Sequence, residues 1–187
     1  MDINTVKDLG DSYLITYDNG VTLETFKVID NRDYRKVQEW LSVEGNEALP
    51  RYTLEESIDL KLEESNDYYF NSSEIREMKI NDYFILSLSS DGRDLISEQI
   101  QNLDQQIKLN VITEESATFE YFYNGGSIEI TLVQLRQLYI FMLNVVNTNY
   151  SIYKAHIYAI KNLSTIEEVE AYDFTANYLK NQDLNIE

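Results

Sequence analysis

Two Asn-Gly dipeptides constrain the fold of this 187-residue chain more than any other local feature. Asn-Gly is the strongest short signal for a β-hairpin, because both central residues of the favoured tight turn take a positive φ. Asn19-Gly20 and Asn124-Gly125 each join two runs in which apolar and polar residues alternate. The sequence therefore predicts two hairpins. Their four strands are 12–17, 21–28, 117–123 and 127–132.

A helix is predicted directly after the first hairpin. Asp30 or Asn31 can cap its N-terminus, and apolar side chains then recur at helical spacing. Gly45 and Pro50 mark its end. In the returning strand before it, Val21 and Leu23 share one face, with Thr25 as a further member. The apolar stripe of the helix comprises Tyr34, Val37, Trp40 and Leu41.

The second hairpin leads into the longest predicted helix. Thr131-x-x-Gln134 forms a capping box, and the helical pattern continues to about Leu163. Ser164-x-x-Glu167 is a further capping box, which predicts a short last helix ending near Ala171. The final dozen residues lack a pattern and are expected to be extended or frayed. The long apolar stripe comprises Leu132, Leu135, Leu138, Tyr139, Met142, Val145, Val146, Tyr153, Ile157 and Ile160.

The middle of the chain is predicted to be helical and acidic. Thr53-x-x-Glu56 is a capping box that opens one helix, and Ser72 or Ser73 opens another. Asp91-Gly92 either interrupts this second helix or caps a third. The apolar residues of the second include Ile75, Met78, Tyr83 and Leu86. Those of the third are Leu95, Ile96, Ile100, Leu103 and Ile107.

These elements predict an α+β fold made of two units, each a β-hairpin followed by a helix. A helical middle region joins the units, and one long helix stands in the C-terminal part. The expected divisions are an N-terminal unit over 1–50, an acidic connector over 51–110 and a C-terminal unit over 111–187. A two-stranded sheet is unstable alone, so each hairpin needs a helix or a neighbour to cover it.

The charge of the chain argues against nucleic acid and anionic membranes as partners. Asp and Glu number 33 against 15 Lys and Arg, which gives a formal charge of −18. Phosphate-rich surfaces are bound by clustered bases, and the sequence has no such cluster. No apolar run is long enough to span a bilayer, and the polar start of the chain is not expected to be a signal peptide.

No residue pattern singles out a catalytic, cofactor-binding or metal site. The chain has no cysteine and one histidine, His156, whose helical neighbours Ile152, Tyr153 and Ile160 cannot ligate a metal. We therefore interpret His156 as structural. Paired carboxylates such as Glu55-Glu56 are too numerous to identify a catalytic pair. The sequence favours a protein that is not an enzyme and has no cofactor.

The aromatic and aliphatic residues of the two main helices are the candidates for interface or packing roles. Apolar residues cover more than one side of the long helix, which is typical of a helix with more than one packing partner. Packing within the chain and contact with another subunit both remain open, and a homo-oligomer is expected. The candidate residues are Trp40, Leu41, Leu135, Tyr139, Met142, Tyr153 and Ile157.

Two stretches resemble proteins of tailed bacteriophages. The first resembles the start of small phage tail proteins. It contains Tyr17-Asp18-Asn19-Gly20, Asn31, Tyr34, Val37-Gln38-Glu39-Trp40-Leu41, Glu44-Gly45-Asn46 and Pro50. The second resembles a domain of unknown function found at the C-terminus of tail and tail-fibre-associated proteins. It contains Phe119-Glu120-Tyr121, Asn124-Gly125-Gly126, Leu132, Leu135, Leu138, His156 and the segment 160–173.

The resemblance implies a virion component in the tail, baseplate or fibre-attachment region, present in the host cytoplasm during assembly. Its expected partners are other phage structural proteins and further copies of itself. One alternative is a tail or tail-fibre assembly chaperone that the finished particle does not retain. Another is an enzyme that acts on cell-wall or capsule polysaccharide. The resemblance supplies no catalytic residues.

Overall fold

The computed structural model describes residues 2–79, 85–123 and 126–183. Helix and strand are both well represented, at 50% and 21% of the chain, so the predicted α+β class is confirmed. The chain divides into two compact units, Met1–Ser57 and Ile58–Glu187, and the division falls within a helix. No helix in the described part of the chain combines the length and the apolar character needed to cross a membrane.

The first unit is a three-stranded antiparallel sheet with one helix. Its strands follow chain order, and the middle strand and the helix agree with the sequence prediction. The first strand was not predicted. A register shift between Ile3 and Thr5 interrupts its alternation, which hides a strand from a period-two pattern. The elements are β1 (Ile3–Asp8), β2 (Ser12–Tyr17), β3 (Thr22–Phe26) and α1 (Arg32–Leu41).

The core of the first unit lies between one face of this sheet and α1. Asn31 caps the helix, accepting hydrogen bonds from the N–H groups of Asp33 and Tyr34. This confirms one of the two predicted caps. Gly45 takes a positive φ of 90° in the turn beyond the helix, which ends at Leu41. The buried residues of this core are Val6, Tyr13, Ile15, Tyr17 and Val37.

The second unit contains the remaining elements. They are the rest of α2 (Leu54–Asn71), α3 (Ser73–Arg76), β4 (Glu77–Lys79), β5 (Ile85–Ser87), α4 (Ser90–Lys108), β6 (Thr118–Tyr123), β7 (Gly126–Thr131), α5 (Leu132–Lys161), α6 (Ile166–Ala171) and β8 (Gln182–Asp183). Strands β6 and β7 pair as the predicted second hairpin. The predicted turn at Asn124-Gly125 lies outside the described residues.

The helix predicted from Ser72 is wrong beyond Arg76. Only the single turn α3 forms, after which β4 and β5 pair as antiparallel strands with Met78 opposite Leu86. Both side chains are buried, so the pattern that suggested a helical face belongs to short strands. Three residues are too few for an alternation to be recognised in the sequence. Tyr83 of the predicted helix lies outside the described residues.

Helix α4 begins around the Asp91-Gly92 pair, which the sequence predicted either to interrupt one helix or to cap the next. Ser89 caps it by accepting a hydrogen bond from the N–H of Gly92, so the Asp91-Gly92 pair belongs to the start of this helix. A Cβ atom on Gly92 would lie 2.1 Å from the carbonyl oxygen of Ser87. Only glycine avoids this steric clash, because it has no Cβ. The buried side chains of α4 join those of α5, β5 and β7 in the main apolar core, including Leu88, Ile96, Leu103, Ile130 and Leu138.

The ends of the C-terminal helices agree with the predictions apart from one residue. Thr131 and Gln134 form the predicted capping box of α5, which runs unbroken for 30 residues. The cap of α6 is Thr165 with Glu168, so the predicted Ser164 cap is wrong by one position. The Glu168 carboxylate accepts the N–H groups of both Ser164 and Thr165, which explains the ambiguity of the pattern.

The segment after α6 is extended, which was one of the two alternatives that the sequence predicted, and it packs within the second unit as far as Asp183. Tyr178 is buried, and β8 pairs in parallel with β4, placing Met78 opposite Gln182. Asn181 donates its main-chain N–H to the carbonyl of Glu74. The C-terminal segment is therefore part of the second unit, where the sequence predicted an extended or frayed end.

Candidate interaction surfaces

The two edges of the sheet in the first unit differ. Beside β1, Asp8 donates its N–H to the carbonyl of Leu49 at 2.8 Å, and Leu49 donates to the carbonyl of Val6 at 2.7 Å. These bonds attach the segment after α1 to β1 and satisfy part of its main chain. The outer edge of β1 is therefore covered by the chain itself.

The outer edge of β3 is open. Among the described residues, β3 pairs only with β2. Tyr17 donates its N–H to the carbonyl of Val21, and Lys27 donates to that of Asp11, so odd-numbered residues of this strand bond inward. Because bonding direction alternates along an antiparallel strand, Thr22 and Glu24 point their N–H and C=O groups outward. An edge of this kind can pair with another strand.

Apolar side chains surround this open edge. Val21 and Leu23 lie on the same face as buried Thr25, as the sequence predicted, but 50% and 38% of their surfaces stay exposed. Phe26 is 61% exposed on the opposite face. Helix α1 packs on this face where Ile15 and Tyr17 are buried with Val37, and it leaves Val21 and Leu23 partly exposed. The edge therefore offers exposed apolar side chains on both faces, with Val28 and Ile29 exposed just beyond it.

Trp40 and Leu41, predicted as interface or packing residues, pack beside the core of the first unit. Both are half-buried at the end of α1. Asn46 donates its side-chain amide to the carbonyl of Trp40 at 2.9 Å, which holds the turn after the helix. This position suits them to stabilise the first unit.

The other predicted candidates lie on α5 and face inward to different degrees. Leu135 and Met142 are completely buried in the main core, and Tyr153 is buried in a second cluster with Tyr69, Ile75 and Tyr178. Tyr139 and Ile157 are half-buried beside these clusters. The structure thus uses all five for packing within the second unit.

A polar layer accompanies the second cluster. The side chain of Asn149 accepts the N–H of Leu179 at 2.8 Å and donates to its carbonyl at 3.0 Å. Tyr153 donates its hydroxyl to Asn66, and its ring stacks on Tyr69 at a centroid distance of 4.4 Å. The layer therefore connects α5 to α2 and to the C-terminal segment.

His156 belongs to the same layer. Its Nε2 lies 3.0 Å from the carbonyl oxygen of Ala176, and its Nδ1 lies 2.8 Å from the hydroxyl of Tyr172. A carbonyl oxygen only accepts, so Nε2 carries a proton and donates it to Ala176, while Nδ1 shares a hydrogen bond with the Tyr172 hydroxyl. Both ring nitrogens are thus engaged in holding the C-terminal segment on α5. This geometry supports the structural interpretation of the histidine.

The sequence predicted that α5 has more than one packing side, and the structure shows which residues form its outer face. Helix α5 contains no Asp or Glu and three basic residues, Arg136, Lys154 and Lys161, in a chain of net charge −18. A shallow depression on this face is lined by the uncharged residues Gln137, Ile140, Phe141 and Asn144. The lack of acids along 30 residues was visible in the sequence, but only the structure shows which of these residues face outward.

Within the ranges 2–79, 85–123 and 126–183, no three acidic or histidine side chains come together in a way that could hold a metal ion.

Comparison of the chain with models of known protein families, with curated proteins and with solved structures finds no match. The two exposed surfaces, the β3 edge and the outer face of α5, are thus the candidates for function.

Proposed function

We propose that this protein is a structural or adaptor component of a bacteriophage virion, in the tail, baseplate or fibre-attachment region, and that it acts through protein–protein contacts. The open β3 edge is the observation that carries the binding role, because it offers unpaired main-chain groups beside exposed apolar side chains. The phage setting rests on the sequence resemblance. The proposed role involves no catalytic activity and no cofactor.

The proposed contact is strand addition. An extended segment of another structural protein pairs with the outward N–H and C=O groups of Thr22 and Glu24. Leu23 on one face and Phe26 on the other then contact alternate side chains of that segment. Main-chain bonds supply affinity in this mode, and the side-chain contacts supply specificity. Trp40 and Leu41 keep the sheet and α1 together while the edge is occupied.

Charge indicates which segments fit best. Asp18 and Asp30 are exposed near the two ends of β3, and Glu24 lies within it. Lys27 is held by Asp8 through contacts of 2.8 and 2.9 Å, so it does not offset these acids. A segment that alternates apolar residues with Lys or Arg is therefore favoured, since opposite charges steer association and exclude wrong partners.

Mass spectrometry of purified virions tests the setting. We expect the chain in particles at more than trace level. Its absence from particles would reject the virion role, and its presence only in infected lysate would identify an assembly chaperone instead. This outcome does not depend on the mode of contact.

A pair of substitutions at one position tests the strand addition. Glu24→Pro removes an outward N–H, a change that edge strands tolerate because the N–H faces solvent. Glu24→Ala keeps the N–H and removes the same carboxylate. We expect Glu24→Pro to lower incorporation into particles at least tenfold and Glu24→Ala to lower it much less, because only one of the acids at this edge is lost and the N–H remains. Equal incorporation of both variants, with unchanged circular dichroism, would exclude pairing at this edge.

A further inference from the structure

The exposed residues on the outer face of α5 follow a seven-residue repeat. Their spacing alternates between four and three, which keeps them in one line along a helix that packs on another helix. All eight are exposed, with Val133 at 52%, Ile140 at 58% and Tyr158 at 73%. We name this line the outer seam. It comprises Val133, Gln137, Ile140, Asn144, Asn147, Ser151, Lys154 and Tyr158.

The buried face of the same helix explains why the outer seam is distinct. The inward residues, among them Leu135, Met142, Tyr153 and Ile160, already have partners within the second unit. The outer seam has none of this coverage, although it includes three large apolar or aromatic side chains. A helix with apolar residues on two sides is typical of one that packs on two partners.

Charge identifies a second copy of this chain as the partner. Two molecules of charge −18 repel each other over most of their surfaces. Contact through α5 brings together two helices that contain no acid. At the N-terminal end, Arg136 lies 2.7 Å from Asp104 and 3.2 Å from Glu114, so these two acids already have a basic partner. The outer seam thus brings no acid of its own against a second copy.

We infer that two copies of this protein pair through their outer seams, with the two α5 helices antiparallel. An antiparallel pair centred between Val145 and Val146 places the seam residues opposite one another in four pairs, of which only Ile140 with Ser151 combines an apolar with a polar side chain. Apolar Val133 meets aromatic Tyr158, and the Gln137 amide meets Lys154. Asn144 and Asn147 face each other next to the two-fold axis, where paired amides set the register.

The antiparallel direction follows from Lys154. In a parallel pair the two copies of Lys154 would lie side by side, which is destabilising. In the antiparallel pair they are 17 residues apart along the helix axis, or about 25 Å at about 1.5 Å per residue. That separation exceeds the Debye length of about 8 Å at physiological salt. This inference is independent of the proposed function, because a dimer forms or fails to form whether or not a particle contains the chain.

The mass of the full chain in solution tests the dimer. By sedimentation equilibrium at tens of micromolar protein, we expect twice the chain mass of 21.9 kDa. Ile140→Asp introduces a charge into the outer seam and should halve the measured mass. Phe122→Asp is the matched control, since Phe122 is 72% exposed in the same unit but lies on β6. It should leave the dimer intact. Both positions are exposed, so circular dichroism should be unchanged.

Disulfide trapping tests the direction, because the chain has no cysteine of its own. Chains carrying Gln137→Cys, mixed with chains carrying Lys154→Cys and oxidised, should give a mixed disulfide dimer. Lys154→Cys chains alone should give none. A wild-type monomer would overturn the proposal, as would equal loss of the dimer in Ile140→Asp and Phe122→Asp. Efficient self-linking of Lys154→Cys chains would overturn the antiparallel arrangement.

Discussion

The two halves of the inner face of α5 are buried by different means. In the N-terminal half, Leu135, Leu138, Met142 and Val145 pack among apolar side chains. In the C-terminal half, the buried positions include Asn149, Tyr153 and His156, each with a hydrogen-bond partner. Apolar burial is non-directional, whereas each hydrogen bond requires a particular partner. The first half therefore supplies most of the apolar burial, and the second half determines where the C-terminal segment lies.

The C-terminal segment explains why the second half of α5 is polar. Ala176 and Leu179 lie in a stretch without regular structure, so their main-chain groups have no helix or sheet to bond within. Buried main-chain groups that lack partners are costly. The side chains of Asn149 and His156 provide these partners. A leucine at position 149 would bury apolar area but leave the main-chain groups of Leu179 without this partner, and a leucine at position 156 would do the same to the carbonyl of Ala176.

The largest effect is expected in the apolar half. Leu138 is completely buried, and Leu138→Ala should lower the free energy of unfolding by about 2–5 kcal/mol through lost burial and a residual cavity. The measurement is urea denaturation followed by circular dichroism. Leu109→Ala makes the same chemical change at a residue that is 64% exposed in the same unit, and should cost less than about 0.5 kcal/mol. Equal losses for the two variants would contradict the assignment of the core.

A smaller and more local effect is expected in the polar half. Asn149→Ala removes the donor and the acceptor that hold Leu179, so the free energy of unfolding should fall by about 1–3 kcal/mol. The amide of Leu179 should also exchange with solvent faster, which hydrogen-exchange mass spectrometry detects. Thr148→Ala, at the exposed neighbouring position, is the control. Unchanged exchange in the C-terminal segment of the Asn149 variant would contradict the role of this side chain.

The smallest effect is expected at Tyr178, and it depends on pH. Burial raises the pKa of the Tyr178 phenol well above its ordinary value of 10.0, so the folded state keeps the proton when the unfolded state has lost it. Stability from this group is full below pH 10 and falls as the pH rises above that value. Within the described residues the Tyr178 hydroxyl has no hydrogen-bond partner. Tyr178→Phe should therefore change stability at pH 7 by less than about 1 kcal/mol.

Denaturation at several pH values between 8 and 11 provides the test for Tyr178. The decline of stability with rising pH should be shallower in Tyr178→Phe than in the wild type. Some decline should remain, because burial also raises the pKa of Tyr69 in the same cluster. Parallel profiles for the two proteins would show that the phenol is not buried as described.

Signals that act within a few residues were sufficient for much of the fold. The first hairpin, the caps at Asn31 and Thr131 and the length of α5 depend on neighbouring residues, and they agree with the structure. The expected turn geometry is wrong at one residue, because Gly20 takes a positive φ and Asn19 does not. The elements that were missed depend on distant partners. Strand β1 requires β2, and the short β4 requires β5 and β8. Their own residues carry too little pattern to reveal them.

The candidate surfaces were less accessible to sequence reasoning. Apolar periodicity correctly placed Leu135, Met142 and Tyr153 on a packed face, but it does not say which neighbour covers that face. The outer seam was overlooked because its polar members, such as Asn144 and Ser151, do not stand out as a stripe. Its defining property is exposure, which depends on the packing of all other elements around α5.

The sequence by itself determined the α+β class, the chain reversal at Asn19-Gly20, the main helix ends and the acidic charge, because these depend on local chemistry or on composition. Only the tertiary structure decided that Leu49 covers one sheet edge while β3 stays open, and which side of α5 faces outward. Those outcomes depend on contacts between residues far apart in the chain, such as Asn149 with Leu179. The free energy of such contacts depends on the whole packed arrangement, which no short stretch of residues encodes.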